Sequence, residues 1–320
     1  MDTPQKPRMK PYTIKDFQRD YPDDAACLEW LKNYLYPAGI TCENPACPRT
    51  GKVTKHYRVA SRPSYSCAYC GHHVHPTAGT IFHKSTTPLR LWFYAVHLMA
   101  TTRCGISAKQ IQRETGVTYK TAWRMFRQIR TLLQEPVPPL SGEVEVDETY
   151  IGGRKRTYGT RQEAARERLK NKQVVAGHVQ RGGKVRAIHL PDGTANALLP
   201  HVRRFVLPAS IIYTDELPIY GRLSAFGYAH RRINHAAKVY VDGDVHTNTV
   251  EGFFSLVKRG ISGVYHSVSA KYLQSYLNEY PFRYNHRKDT RPMFLTMLGQ
   301  VALYRADGTR AEGPSQTPPL

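Results

Sequence analysis

A chain of 320 residues is long enough for two or more domains, and its 41% hydrophobic content belongs to globular proteins rather than disordered tails. The 46 Lys and Arg against 25 Asp and Glu leave a formal net charge of +21, which repels itself and adds nothing to folding stability. Such an excess points to a polyanionic partner, nucleic acid above all, and no apolar run reaches the roughly 18 residues of a membrane span.

Residues 1–40 read as a helical lead-in. Phe17, Cys27, Leu28, Trp30, Leu31 and Leu35 recur at helical spacing, and Pro22-Asp-Asp supplies a start signal. No basic-then-apolar leader with a cleavage site is present, so a cytoplasmic location is expected. Residues 41–83 carry Cys42-x4-Cys47 and Cys67-x2-Cys70-Gly71, with Tyr57, Val59 and Tyr65 between them in short β segments. Two close thiol pairs in a cytosolic chain suggest metal rather than disulfides. Four thiolates complete tetrahedral Zn²⁺ and leave no position for water, so one structural zinc in a zinc ribbon is expected on Cys42, Cys47, Cys67 and Cys70. The run His72-His73-Val74-His75 is a source of a substitute ligand or of phosphate contacts.

Residues 86–135 are expected to be helical. Leu89, Leu91, Trp92, Val96, Leu98 and Met99 follow Pro88. The stretch from Ser107 through Gly116 to Arg130 then fits a short helix, a Gly turn and a second helix starting at Thr118, a helix-turn-helix pattern. The second helix would place Tyr119, Lys120 and Arg124 outward for bases and phosphates, and Ala122, Met125, Phe126 and Ile129 inward. Pro136-Val-Pro-Pro139 reads as a stiff linker.

Residues 141–290 read as the main domain. Glu143-Val-Glu-Val-Asp-Glu-Thr-Tyr-Ile alternates in the strand manner and ends in Gly152-Gly153. A basic insert or loop spans Arg154–Lys172, and Val174–His178 and Val185–Leu190 flank the hairpin signal Arg181-Gly-Gly. A helix over Ala195–Phe205, a short strand over Ser210–Tyr213, a further strand near Tyr228–Asn234 and a helix over Ala270–Tyr284 are expected. Between the last two, His246–Arg259 opens as a helix capped by Thr247 or Asn248, with Val250, Phe253, Phe254 and Val257 in one apolar stripe. This order describes an α/β chain with a ribonuclease-H-like core behind a zinc ribbon and a helix-turn-helix. Residues 291–320 are expected to be a C-terminal tail, disordered after about 305.

Three acids stand at telling places: Asp147 in a strand that should be core, Asp215 directly after a buried-type strand, and Glu251 in the first turns of a helix. Converging buried carboxylates need a cation between them. Two Mg²⁺ ions, or Mn²⁺, held there would serve phosphodiester chemistry. Thirty-five residues separate Asp215 from Glu251, and Lys258 follows seven positions later, two helical turns on, beside Arg259.

The strings Val-Asp-Glu-Thr-Tyr-Ile-Gly-Gly, Tyr-Thr-Asp-Glu and His-Thr-Asn-Thr-Val-Glu-Gly-Phe-Phe-Ser-Leu-Val-Lys-Arg-Gly resemble the DDE transposases of bacterial insertion sequences. The similarity is to the ISXO-like group, which also carries an N-terminal zinc ribbon, and it covers roughly residues 15–300. It implies Asp147, Asp215 and Glu251 as metal ligands and Lys258 as the substrate-positioning lysine. Some members of the group are described with Asn as the third ligand, and Asn248 lies one turn from Glu251, so both stay candidates. Strand alternation turns Glu148 away from Asp147, Glu216 lies in a turn nearby, and His246 is placed to orient a carboxylate or a phosphate. The resemblance further implies terminal inverted repeats as the DNA substrate, a strand-transfer product, a nucleoid-associated location and a homodimer or larger assembly on double-stranded DNA. A catalytically inactive DNA-binding regulator is the alternative, and a ribonuclease H or junction nuclease on the same fold is a second one.

Overall fold

In a computed structural model of the protein, residues 11–152, 172–215, 217–233 and 246–303 are described. The basic insert expected over Arg154–Lys172, apart from Lys172, lies outside them, as do Glu216 and the stretch after 305. The chain divides into two compact units, one of residues 1–133 with 289–320 and one of residues 134–288.

In the first unit the lead-in forms two short helices, α1 (Ile14–Asp20) and α2 (Asp24–Leu35). Thr13 and Asp16 cap α1 reciprocally, and Asp23 accepts the Ala26 amide to start α2, the start signal legible in Pro22-Asp-Asp. Three antiparallel strands follow, β1 (His56–Val59), β2 (Ser64–Cys67) and β3 (His73–Val74). Helices α3 (Leu89–Thr101), α4 (Ala108–Thr115) and α5 (Tyr119–Thr131) complete the run. Ser107 caps α4, Gly116 closes it in the left-handed conformation at φ 71°, and Thr118 caps α5.

The expected C-terminal tail is corrected by the structure. Met293–Leu298 forms helix α10, and residues 299–303 continue as a 3₁₀ turn. Phe294, Met297 and Leu298 are buried, and the Phe294 ring stacks on Tyr12 and meets Phe17, Tyr21 and His97 edge-on. These apolar side chains must be covered, and α3 covers them.

The second unit is a five-stranded sheet with helices on both faces. Its strands are β4 (Glu143–Ile151), β5 (Gln173–Gln180), β6 (Val185–Leu190), β7 (Ile211–Thr214) and β8 (Ala229–Arg232), in the order β6-β5-β4-β7-β8. The first three pair antiparallel, while β4–β7 and β7–β8 are parallel. One face packs Val144, Val146 and Ile212 against Leu199 and Val202 of α6 (Ala195–Phe205). The other packs Val175 and Val179 against Val250, Phe253, Phe254 and Val257 of α7 (Asn248–Gly260).

The single helix expected over Ala270–Tyr284 is two helices, α8 (Ala270–Leu277) and α9 (Glu279–Asn285). Pro281 is the reason. It has no amide to donate to the carbonyl of Leu277, so the helical ladder breaks around Asn278.

Candidate active site and cysteine cluster

The register of the parallel β4–β7 pair places two carboxylates side by side. Glu143 faces Ile211, Val144 faces Ile212 and Glu145 faces Tyr213, so the same offset sets Asp147 beside Asp215 just beyond the paired stretch. Across β5, Asp147 is matched with Gly177. Asp147 Oδ1 accepts its neighbour's Glu148 amide at 2.8 Å, and Asp215 Oδ1 accepts the Leu217 amide at 3.1 Å.

Carboxylate oxygens of Asp147, Glu148 and Asp215 lie within 4.8 Å of one another, close enough to share a cation. Burial pushes the Asp147 carboxyl up to about 7, helped by the charges of Glu148, Asp215 and, least, Glu251. Glu148 is raised as well, first by burial, although the Tyr220 hydroxyl donates to its Oε2 at 2.7 Å and favours the charged form. Three acids whose charges oppose one another in this way could hold a hard divalent ion between them.

The alternation argument placed Glu148 away from Asp147. The two residues are neighbours in the middle of β4, yet just past its last pair with β7, Glu145 with Tyr213, both carboxylates reach the same spot. Glu251 lies outside that trio, exposed in the first turn of α7, and its Oε1 accepts the Thr247 hydroxyl at 3.0 Å. Asn248 is exposed at the first position of α7. Lys258, exposed on the same helix, lines a cleft of about 200 Å³ with Tyr150, Gly152 and His266. Arg259 is exposed and donates to the Ser255 carbonyl at 3.2 Å.

The cap expected from Thr247 or Asn248 comes from elsewhere. Thr247 sits at the cap position, where its carbonyl accepts the Glu251 amide but its side chain caps nothing, and Glu145 takes that role. Glu145 is fully buried on β4, two residues before Asp147 and on the same strand face. Its Oε2 accepts the amides of Thr249 and Val250 at 2.8 and 2.9 Å, and its Oε1 accepts the Thr249 hydroxyl at 2.9 Å. Arg181 Nε donates to Oε1 at 2.8 Å, and a second Arg181 nitrogen donates to the His246 carbonyl at 2.8 Å. His246 Nδ1 stands 3.3 Å from Glu145 Oε1 without hydrogen-bond geometry, so its ring does not hold this carboxylate. Sequence reasoning passed over Glu145. The available signal was a second acid two positions before Asp147 on a strand too apolar to leave a lone carboxylate unpaired.

In the first unit the sulfurs of Cys42, Cys47, Cys67 and Cys70 lie within 4.8 Å of one another, with Cys42 and Cys70 at 3.6 Å. Ligands at about 2.3 Å around tetrahedral zinc stand about 3.8 Å apart, so the quartet fits zinc. The Tyr69 backbone amide leads in drawing the Cys67 thiol down to about 6, with the Thr54 hydroxyl assisting, while burial and the neighbouring thiols raise Cys42 and Cys47, so of these three only Cys67 is disposed to be a thiolate without a metal. Among the described residues no histidine is needed to complete the set, and His73 instead shares a 3.2 Å hydrogen bond with Ser64. Tyr119, Lys120 and Arg124 are exposed along α5, with Lys109 over the Tyr119 ring and Arg124 donating to the His83 carbonyl at 3.2 Å.

Comparison with known proteins accords with both centres. A family model described as the ISXO2-like transposase domain matches residues 139–285, and one described as a transposase zinc-ribbon domain matches residues 22–73. A protein in transposable element ISH50 of Halobacterium salinarum is 31% identical over 258 residues, covering 77% of this chain and 85% of the relative. A transposase-like protein of Haemophilus influenzae is 29% identical over 102 residues, 32% of this chain and 81% of that one. Among solved structures, a chain of the simian T-cell lymphotropic virus intasome in complex with PP2A regulatory subunit B56 gamma aligns over 53% of this chain and 67% of its own. That match has a TM-score of 0.28 and 16% identity, a likeness too slight to bear on either centre.

Proposed function

Because the chain belongs to the ISXO2-like transposase family, we propose that it is a DDE-type transposase acting on the terminal inverted repeats of its own insertion sequence. In this reading water cuts the phosphodiester at the element end, breaking the bond from phosphorus to the 3′-oxygen and leaving a free 3′-hydroxyl. That hydroxyl then attacks a target phosphate in line, and the target strand's own 3′-oxygen leaves as the new bond forms.

The observation that carries the reading is the pair Asp147 and Asp215, set side by side by the register of the parallel strands β4 and β7 just past their last pair. Asp147, Asp215 and Glu251 would hold divalent ions, Mg²⁺ or Mn²⁺, with Glu148 close enough to join them and Asn248 one turn from Glu251. Bound there, such ions would supply charge neutralisation at the phosphoryl oxygens and a more acidic attacking water. Lys258 and Arg259, further along the same exposed helix face, would hold the DNA backbone in line with that centre. The order β6-β5-β4-β7-β8, three antiparallel strands followed by two parallel ones, supports a ribonuclease-H-like core.

In the first unit the zinc-ribbon cysteines and the α4–Gly116–α5 pair, read as a helix-turn-helix, would grip the element ends. Phosphate contacts would set register, and Tyr119, Lys120 and Arg124 would reach bases and backbone. The net charge of +21 supports a DNA partner. Two ends must be joined in one product, so the working form would be a dimer or larger assembly on DNA.

The test is cleavage of DNA carrying the element's own ends, with and without Mg²⁺, by the wild type and by Asp215→Asn. The wild type should cut only with the ion. Asp215→Asn should lose cleavage by at least about a thousandfold while keeping DNA affinity within a few-fold. Retained strand transfer by that variant would refute the ligand assignment. A wild type that binds the ends and never cuts them would favour the DNA-binding regulator, and preferred cutting of RNA–DNA hybrid would favour a ribonuclease.

A further inference from the structure

We propose that Glu145, held by Arg181, is the positioning residue that locks the Glu251 helix onto the strand bearing Asp147; this inference rests on the reading of Asp147, Asp215 and Glu251 as one catalytic site.

The physical case begins with cost. A fully buried carboxylate is expensive unless its oxygens are satisfied, and Glu145 accepts four hydrogen bonds, three from the start of α7 and one from Arg181. The first amides of a helix have no partner within it, and its N-terminal end carries partial positive charge, so a carboxylate there is favoured on both counts. Short side chains from the chain itself usually do this work. Here the cap comes from a residue about a hundred positions earlier, so it ties two distant elements together instead of only starting one.

Geometry makes the tie specific. Glu145 and Asp147 leave the same face of β4, two residues apart, while Thr249 and Val250 precede Glu251 on α7. The clamp therefore sits next to both acids. Arg181 completes it from the end of β5: it pairs with Glu145, reaches the His246 carbonyl at the entry to α7, and lies over the Tyr213 ring at 3.9 Å. Tyr213 is the strand neighbour of Glu145 on β7, the strand that leads into Asp215. The three elements that carry the acids thus meet at one buried ion pair. Beneath it, Gly177 lets α7 approach closely, since a Cβ there would stand 2.7 Å from the Phe254 ring.

Backbone hydrogen exchange and DNA cleavage by the full-length, zinc-loaded protein test this, with Glu145→Gln and Thr249→Val. The amide in Glu145→Gln keeps the shape but turns one of two acceptors into a donor, facing either Arg181 or the helix amides. Thr249→Val removes one hydroxyl from the clamp and leaves the carboxylate in place. In Glu145→Gln the amides of Thr249 and Val250 should exchange at least tenfold faster, with Phe254 and Val257 changed by less than threefold. The rate of end cleavage should fall at least tenfold, the Mg²⁺ concentration for half-maximal rate should rise at least fivefold, and KM for DNA should stay within threefold. Thr249→Val should move the same readouts in the same direction by a smaller factor.

Unchanged exchange at Thr249 and Val250, or faster exchange with unaltered cleavage and Mg²⁺ dependence, would overturn the clamp. If Glu145→Gln does not fold, Thr249→Val decides by the same readouts. If the wild type itself does not cleave, the transposase reading has failed, and exchange alone then decides whether Glu145 holds α7.

Discussion

Gly177→Ala should loosen α7 without touching a single acid. Gly177 lies on β5 directly across from Asp147, and a Cβ built there meets Phe254 Cζ at 2.7 Å, Cε1 at 2.9 Å and Val250 Cγ2 at 3.1 Å. Carbon atoms pack at about 3.5–4.0 Å, so α7 or the Phe254 ring must give by about 1 Å. Overpacking a filled core by one methyl costs about 1–3 kcal/mol. For a unit of this size that lowers its melting temperature by about 3–10 °C. If the shift is passed to Glu251 along the rigid helix, a displacement of about 1 Å is enough to cost about a hundredfold in turnover. Gly252→Ala is the matched control. It lies on the same helix with nothing within 4 Å of its Cβ, so it should be neutral or stabilise by up to about 1 kcal/mol through helix propensity. Thermal unfolding and end cleavage measured on both variants check the pair. A Gly177→Ala protein melting within about 1 °C of wild type would refute the claim that α7 is pressed against β5 at that point.

The pH dependence of stability should carry the mark of Asp147. Its carboxyl, raised by burial to about 7 from 3.8, keeps a proton in the folded protein that the unfolded chain releases. Folding stability from this group is therefore present below about pH 4, lost between about 4 and 7, and gone above. In Mg²⁺-free buffer Asp147→Asn should gain on the wild type by up to about 4 kcal/mol over that window, and added Mg²⁺ should return part of it to the wild type alone. His178, buried and lowered to about 3, acts oppositely by losing stability below about pH 6.5, so the difference between the two denaturation curves is the quantity to read. A difference that stays flat from pH 4 to 7 would contradict the burial of Asp147. Replacing Cys67 and Cys70 together by Ser should abolish zinc retention and weaken end binding at least tenfold; metal analysis giving one zinc per chain in that variant would contradict the four-thiolate site.

Much of this architecture was legible because local chemistry and tertiary demand agree. The Ala195–Phe205 helix, the Arg181-Gly-Gly hairpin and the Gly116 turn each follow from periodicity or from a residue with special backbone freedom. The two thiol pairs announced their cluster by spacing alone. What stayed hidden depends on contacts that spacing does not encode. Met293–Leu298 reads as tail because six residues are too few to show a period, and the burial of Phe294 among Tyr12, Phe17, Tyr21 and His97, with Met297 and Leu298, gives that helix a reason to form. Pro281 was visible, but its effect is to break a ladder whose apolar stripe runs straight through it.

At the site, the residue types were legible and their geometry was only partly so. Asp147 and Asp215 sit together because of a strand register that no single stretch specifies. Alternation turns Glu148 away from Asp147, but it fixes only where a side chain leaves the strand, and past the last β4–β7 pair its carboxylate still comes within 4.8 Å of the Asp147 and Asp215 carboxylates. Glu145 was read as one more polar position in an alternating strand, although its partners lie about a hundred residues away on α7.

The most direct measurement is anomalous diffraction from crystals of the protein grown with Mn²⁺. Manganese should lie between the carboxylates of Asp147 and Asp215, with Glu251 or Glu148 among its ligands, and should vanish from Asp147→Asn. Saturating Mn²⁺ that leaves this pair empty, or an ion held there undiminished in the variant, would contradict the proposal that Asp147 and Asp215 form a metal-dependent DNA-cutting centre.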